Sequence, residues 1–148
     1  MFKTLLVPLD GSARAERILP HVEDIALKRQ SNVVFLQVVE SPALGATVTA
    51  AMIQERLGDF ESRMVAADRY LAGIQGEFRE KGITAKRKVE SGTVVETIIR
   101  VADQESADLI AMASHGRGGL SRVFYGSVAA GILQQVDRPL LVIRARRL

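Results

Sequence analysis

Ala107-Asp108-Leu109-Ile110-Ala111-Met112, then Ala113-Ser114-His115-Gly116-Arg117-Gly118-Gly119, then (after residues 120–125) Gly126-Ser127: this stretch decides how the chain folds. An apolar run broken only by Asp108 is followed by clustered glycines and by an amphipathic segment that stops before Pro139. The order reads as strand, glycine-rich loop, helix. Glycine has no Cβ, so successive backbone N–H groups can turn toward one point and leave room for a ligand there. A helix starting at Gly126-Ser127 aims its free N–H groups and the positive end of its dipole at the same place. The natural occupant is an anion, phosphate first among them.

Outward from that stretch, short apolar runs alternate with helical patterns. Residues 4–9 read as the first strand. Residues 12–30 read as a helix, with Ala15, Ile18, Leu19, Val22, Ile25 and Ala26 at helical spacing. Pro20 inside that pattern should cost a hydrogen bond and kink it. Residues 32–39, nearly all apolar, form a second strand covered on both faces. Residues 41–50 read as a loop, and 51–81 as a long charged helix with Leu57, Phe60, Met64, Ala67, Leu71, Ile74 and Phe78 on one side. Gly82 ends that helix. Residues 83–89 are a more polar strand, hence an edge. Ser91-Gly92-Thr93 opens a helix through Gln104 that turns Val94, Val95, Ile98, Val101 and Ala102 inward. Residues 107–112, 126–136 and 140–143 are the fourth strand, the last helix and the fifth strand.

This alternation predicts a single α/β domain over 1–148. Its sheet is open and doubly wound, with five parallel strands in the order 3-2-1-4-5 and helices on both faces. Ligands of such sheets lie beyond the carboxyl ends of the strands, where the order reverses. That places Asp10 opposite the glycine loop.

At 148 residues the chain is long enough for a real core. It has no Cys, which excludes disulfides, thiolate metal sites and thiol catalysis. The N-terminal apolar run is too short for a signal peptide, and no stretch approaches a membrane span, so a cytoplasmic location is expected. Twenty Lys and Arg against 17 Asp and Glu make the chain mildly basic, with short runs at Lys86-Arg87-Lys88 and at Arg144, Arg146 and Arg147. These read as a charge-guarded strand edge and a solvated tail rather than a nucleic-acid surface. With 5% aromatic residues and no Trp, the chain has no stacking platform for single strands. A Walker loop needs Lys-Ser or Lys-Thr after its second glycine, and none exists. The dinucleotide fingerprint is broken by Ser121 and follows the wrong strand.

At this point the chain resembles the universal stress protein family over nearly its full length. Val7-Pro8-Leu9-Asp10-Gly11-Ser12 is similar to the family's opening strand and turn, and Ile18-Leu19-Pro20 to its first helix. Gln37-Val38-Val39-Glu40 is similar to the end of its second strand. Residues 108–116 with Gly126-Ser127-Val128 match its most specific segment, and Arg138-Pro139-Leu140-Leu141-Val142-Ile143 its closing strand. Members with ATP affinity carry glycine, two residues, glycine, nine residues, then glycine and Ser or Thr. Gly116 and Gly126-Ser127 fit that pattern, but its first glycine is Ala113 here. A backbone needing positive φ at Ala113 would be strained.

The resemblance implies a pocket built from Pro8, Leu9, Asp10, Val38, Met112, Ala113, Ser114, His115, Gly116, Arg117, Gly118, Gly119, Gly126, Ser127 and Val128. Several of these have a plainer alternative. Asp10 suits a ribose hydroxyl or an adenine amino group, or it simply starts the turn with Gly11. Val38 would offer its backbone to the adenine edge, or be a core valine. Pro8 would line the base pocket, or merely end its strand. Ser127 would meet a phosphate, or be a plain N-cap. Arg117 could clamp phosphate oxygens or be a loop charge. His115 lacks the partners of a triad, and with His21 on a helix no two-histidine metal site is expected.

The function this implies is an adenine-nucleotide-binding (ATP or AMP) stress-response sensor or signalling module. It would form a homodimer through the edge Leu140-Leu141-Val142-Ile143, with no membrane and no nucleic acid as partner. Mg2+ would ride on the phosphates only, and hydrolysis would be slow or absent. The alternatives are a nucleotide-free dimeric scaffold and a slow ATP hydrolase using the same pocket.

Overall fold

Strand alternation sorts the apolar side chains onto two faces. In Leu5-Leu6-Val7, Leu5 and Val7 join one buried cluster and Leu6 the other. The chain's fold, taken from a computed structural model, is described for residues 1–42, 45, 48–116 and 126–146. Its strands are β1 (Thr4–Pro8), β2 (Asn32–Val39), β3 (Ala85–Ser91), β4 (Leu109–Gly116) and β5 (Leu140–Arg146). Between them run α1 (Leu19–Arg29), α2 (Ala50–Glu80), α3 (Val94–Gln104) and α4 (Ser127–Gln135). All strand pairs are parallel, and the order is β3-β2-β1-β4-β5, as the alternation predicts.

One face carries Leu5, Val7, Val33, Phe35 and Ala111 under Ile18 and Val22 of the α1 region and Leu71, Ile74 and Phe78 of α2. The rings of Phe35 and Phe78 meet edge to face at 4.9 Å, a contact worth about 1 kcal/mol beyond its buried area. The other face packs Leu6, Val34, Leu36, Ile110 and Met112 under Ile98 and Val101 of α3 and Ala129 and Ile132 of α4. Both faces are covered, which is why the central strands are apolar throughout.

Several local expectations are corrected. The helix predicted over 12–30 is two pieces, a 3-10 turn over Ala15–Ile18 and then α1. Pro20 therefore falls in the first turn of α1, where its missing N–H has no partner to lose, and no kink is required. The predicted stripe of α2 is buried only from Ala67 onward; Leu57 is exposed. That helix has 31 residues, and none before Ala67 is buried. Thr49, not singled out in the sequence, caps α2 by accepting the Met52 N–H at 3.2 Å, whereas Thr93 at the start of α3 makes no such side-chain bond.

The amino ends of the strands are tightly fastened. The Asp108 carboxylate accepts the N–H groups of Lys3 at 2.9 Å and Thr4 at 3.0 Å. Burial pushes the Asp108 pKa up, but these two amides, its own N–H and the N-terminal charge together hold it below the usual carboxylate range. Arg138 donates to the Ala107 carbonyl at 3.0 Å and pairs with Asp103. At the β3 edge, Lys86 and Lys88 reach Glu105 at 2.9 and 3.1 Å, and Arg87 reaches Asp68 at 2.9 Å. The Lys86 bond, then the Lys88 bond, hold the Glu105 pKa down.

Candidate functional site

The strand order reverses between β1 and β4. These two strands are in register over two residue pairs, Leu5 with Leu109 and Leu6 with Ile110. By contrast β1 keeps five pairs with β2, and β4 keeps seven with β5. Past Leu6 and Ile110, β1 follows β2 and β4 follows β5, so a crevice opens at the carboxyl end of the sheet, where α/β sheets hold ligands.

One lip is the turn after β1. Pro8 is half-buried, Leu9 is buried and donates its N–H to the Leu36 carbonyl at 2.8 Å, and Asp10 is exposed. Asp10 Oδ1 accepts the Ser12 N–H at 2.9 Å and also the Ser12 hydroxyl. Ser12 Oγ in turn accepts the Ala15 N–H at 3.1 Å. Asp10 thus builds the turn, with Gly11 at φ +84° supplying its left-handed residue. Behind this lip Tyr70 of α2 donates to Glu16 at 2.9 Å. Burial first, then this bond and the charges of Glu16, Asp10 and Glu77, drive the Tyr70 pKa well up, so the phenol stays a donor.

The other lip is the end of β4. The strand does not stop at Met112 as predicted; it runs to Gly116, because Ala113–Gly116 find backbone partners along Ile143–Arg146 of β5. Ala113 sits in extended backbone and is not among the positive-φ residues. The strain expected of Ala in place of the motif glycine is therefore absent. Met112 and Ser114 are buried, and alternation turns Ser114 toward the α3–α4 face with Met112. Among the described residues the Ser114 hydroxyl has no hydrogen-bond partner. His115 and Gly116 close the strand; Arg117, Gly118 and Gly119 lie outside the described residues.

At the start of α4, the N-cap is Gly126, not Ser127. Gly126 has φ +80° and ψ 151°, a conformation open to essentially glycine alone. Its carbonyl accepts the first helical bond, from the Ala130 N–H at 3.0 Å. No described side chain caps the helix. Ser127 is the first helical residue and exposed, and Val128 packs partly against the core. Among the described residues, no side chain takes the first N–H groups of α4.

Next to the β1 turn lies a cleft of about 550 Å³ lined by Gly11, Gln37, Val38, Val39, Arg63 and Tyr70, among others. Of these the sequence reading placed only Val38 in the nucleotide pocket. Gln37 stands out as the one polar residue in the interior of an apolar strand, and that was the available signal. Its Oε1 is buried with no partner among the described residues, which costs about 1–3 kcal/mol if left so. No group of three metal-ligating side chains occurs among the described residues. Among the same residues, no helix is long and apolar enough to cross a membrane.

With this geometry in view, comparison with known proteins is informative. The sequence profile of the universal stress protein family matches residues 1–144, and the chain belongs to that family. Universal stress protein Sll1654 of Synechocystis is 32% identical over 143 residues, covering 97% of this chain and 86% of that protein. The solved structure of MJ0577, a universal stress protein of Methanocaldococcus jannaschii, is 26% identical and superposes with a TM-score of 0.82 over 100% of this chain and 99% of its own. Two more distant structures share the fold. One is a universal stress protein in complex with cAMP (19% identity, TM-score 0.62, 98% of each chain). The other is a universal stress protein from Archaeoglobus fulgidus in complex with dAMP (20% identity, TM-score 0.64, 97% of this chain and 99% of that one).

Proposed function

We propose that this chain binds an adenine nucleotide, ATP or AMP, at the carboxyl end of its sheet and acts as a stress-response sensor or signalling module. The observation that carries the reading is the start of α4: a helix N-terminus that no described side chain caps, with a glycine-only conformation at Gly126, at the side of the sheet where β4 parts from β1. Such a terminus suits phosphate. Ser114, Ser127 and the amides of Gly126–Val128 are the groups offered to the phosphates, with Gly116 beside them and Arg117, Gly118 and Gly119 as further candidates from the sequence. Pro8, Leu9, Asp10, Val38, Met112 and Ala113 form the nucleoside side. The cAMP and dAMP complexes of two family members support an adenine ring and a phosphate as the shared ligand chemistry. Mg2+, where present, rides on the phosphates.

The same reading pairs two copies through β5, a sheet edge whose Leu140, Leu141, Val142 and Ile143 are only partly buried and need cover. It places the protein in the cytoplasm. Isothermal titration of nucleotide-stripped protein tests the binding. Heat with ATP, ADP or AMP at micromolar to millimolar concentration is expected. A flat trace with all three would overturn the nucleotide reading and leave the dimeric scaffold in its place.

A further inference from the structure

The geometry points to Arg144 as the residue that tells a nucleoside triphosphate from a monophosphate; this rests on the nucleotide reading above. In the parallel pairing of β4 with β5, Ile110 stands beside Leu140, Met112 beside Val142 and Ser114 beside Arg144. Neighbours across such a pair share one face of the sheet. The first two rows pack into the cluster under α3 and α4, so the third row, Ser114 with Arg144, continues them on that face toward the carboxyl end. Ser114 is 3% exposed, and its hydroxyl has no partner among the described residues. Arg144 is exposed, and no described residue holds its guanidinium by a hydrogen bond or an ion pair. The start of α4 comes level with the same row. Its nine residues rise about 13 Å, close to the climb of about 13 Å that β5 makes from Leu140 to Arg144. Val136, just past the end of α4, packs against the same cluster as Leu140. A buried unpaired hydroxyl, a helix N-terminus that no described side chain caps and an unpaired cation thus stand together.

The sheet gives the ligand a direction. On the nucleotide reading, the nucleoside lies by β1 and β2, at Pro8, Leu9, Asp10 and Val38, and the first phosphate lies over β4, at Ser114 and the start of α4. The order β2-β1-β4-β5 makes β5 the next strand along, one step of about 4.8 Å further. A monophosphate ends over β4. A triphosphate carries two more phosphoryl groups, and most of its charge, outward to β5. There a guanidinium matches two oxygens of the terminal group at once. Strand side chains stand roughly perpendicular to their sheet, so Arg144 uses the face and leaves the β5 edge free to pair with a second copy.

The test compares ATP with AMP by titration calorimetry on the wild-type chain, Arg144→Gln, Arg144→Lys and, as a control for net charge, Lys28→Gln. Lys28 is exposed near the end of α1, at the opposite end of the sheet. Arg144→Gln should weaken ATP by about tenfold and AMP by less than about twofold. Arg144→Lys keeps the charge but not the two-point fork, and its ATP affinity should fall between those of Arg144→Gln and the wild type. Lys28→Gln should bind both nucleotides as the wild type does. Equal losses for ATP and AMP in Arg144→Gln, no loss for either, or the same loss of ATP in Lys28→Gln overturns the assignment even while ATP binding stands. Absence of binding of both nucleotides by the wild type would instead overturn the nucleotide reading, and the assignment with it. Arg144 is exposed and unpaired among the described residues, so its substitution does not threaten the fold and each ratio can be read.

Discussion

The two ends of the sheet are built on opposite terms. At the amino end, most polar groups are paired within the chain: Asp108 ties down the first residues of β1, the Asn32 N–H bonds the Lys3 carbonyl at 2.8 Å, and Arg138 gives both terminal nitrogens to Ala107 and Asp103, its buried Nε being the exception among the described residues. At the carboxyl end the Ser114 hydroxyl and Gln37 Oε1 are buried without described partners, no described side chain caps α4, and Gly126 holds a backbone conformation other residues avoid. Buried polar groups are nearly always paired in folded proteins. Two of the three buried exceptions among the described residues lie at the carboxyl end of the sheet, where the proposed nucleotide would sit.

That contrast can be broken from either side. The largest effect belongs to Gly126→Asp. A side chain there meets about 1–3 kcal/mol of backbone strain. Its carboxylate also occupies the positive end of α4 and repels phosphate. Affinity for ATP should fall by about 100-fold or more, the equivalent of about 3 kcal/mol, in a titration against the wild type. Undiminished binding would remove α4 from the site.

A smaller and opposite signature is expected at the closed end. Asp108→Asn should leave ATP affinity unchanged and cost about 1 kcal/mol of stability, since the carboxylate is partly solvated. That corresponds to a Tm lower by about 2–4 °C. Because the folded pKa of Asp108 is depressed, its contribution is complete above the unfolded carboxyl pKa and disappears as pH falls through the folded value. The gap in Tm between wild type and variant should therefore close in acid. A gap that widened on acidification would contradict the carboxylate's role.

Much of this arrangement was legible in the sequence, and the misses share a cause. Both apolar faces follow from local pattern, as the alternation of Leu5, Leu6 and Val7 illustrates, and the strand order matches the expected doubly wound sheet. The turn-forming role of Asp10 and Gly11 was readable because it is local. The extension of β4 to Gly116 was not, because it depends on a partner, β5, some thirty residues away in sequence. Periodicity put Leu57 on the buried stripe of α2 but cannot say how far along the helix burial extends. Helical spacing over 12–30 hid the break before Leu19, although Pro20 signalled it. Within the site, the glycines advertised themselves. Gln37 and Tyr70 did not, because their meaning lies in what faces them across the cleft.

The most direct test of an open end set against a closed one is amide hydrogen exchange with and without saturating ATP. After the common gain in global stability is subtracted, added protection is predicted at residues 9–12, 37–40, 112–116 and 126–130, with no change at residues 3–5, 31–34 and 107–110. Protection spread evenly over both ends, or confined to the amino end, would contradict the account.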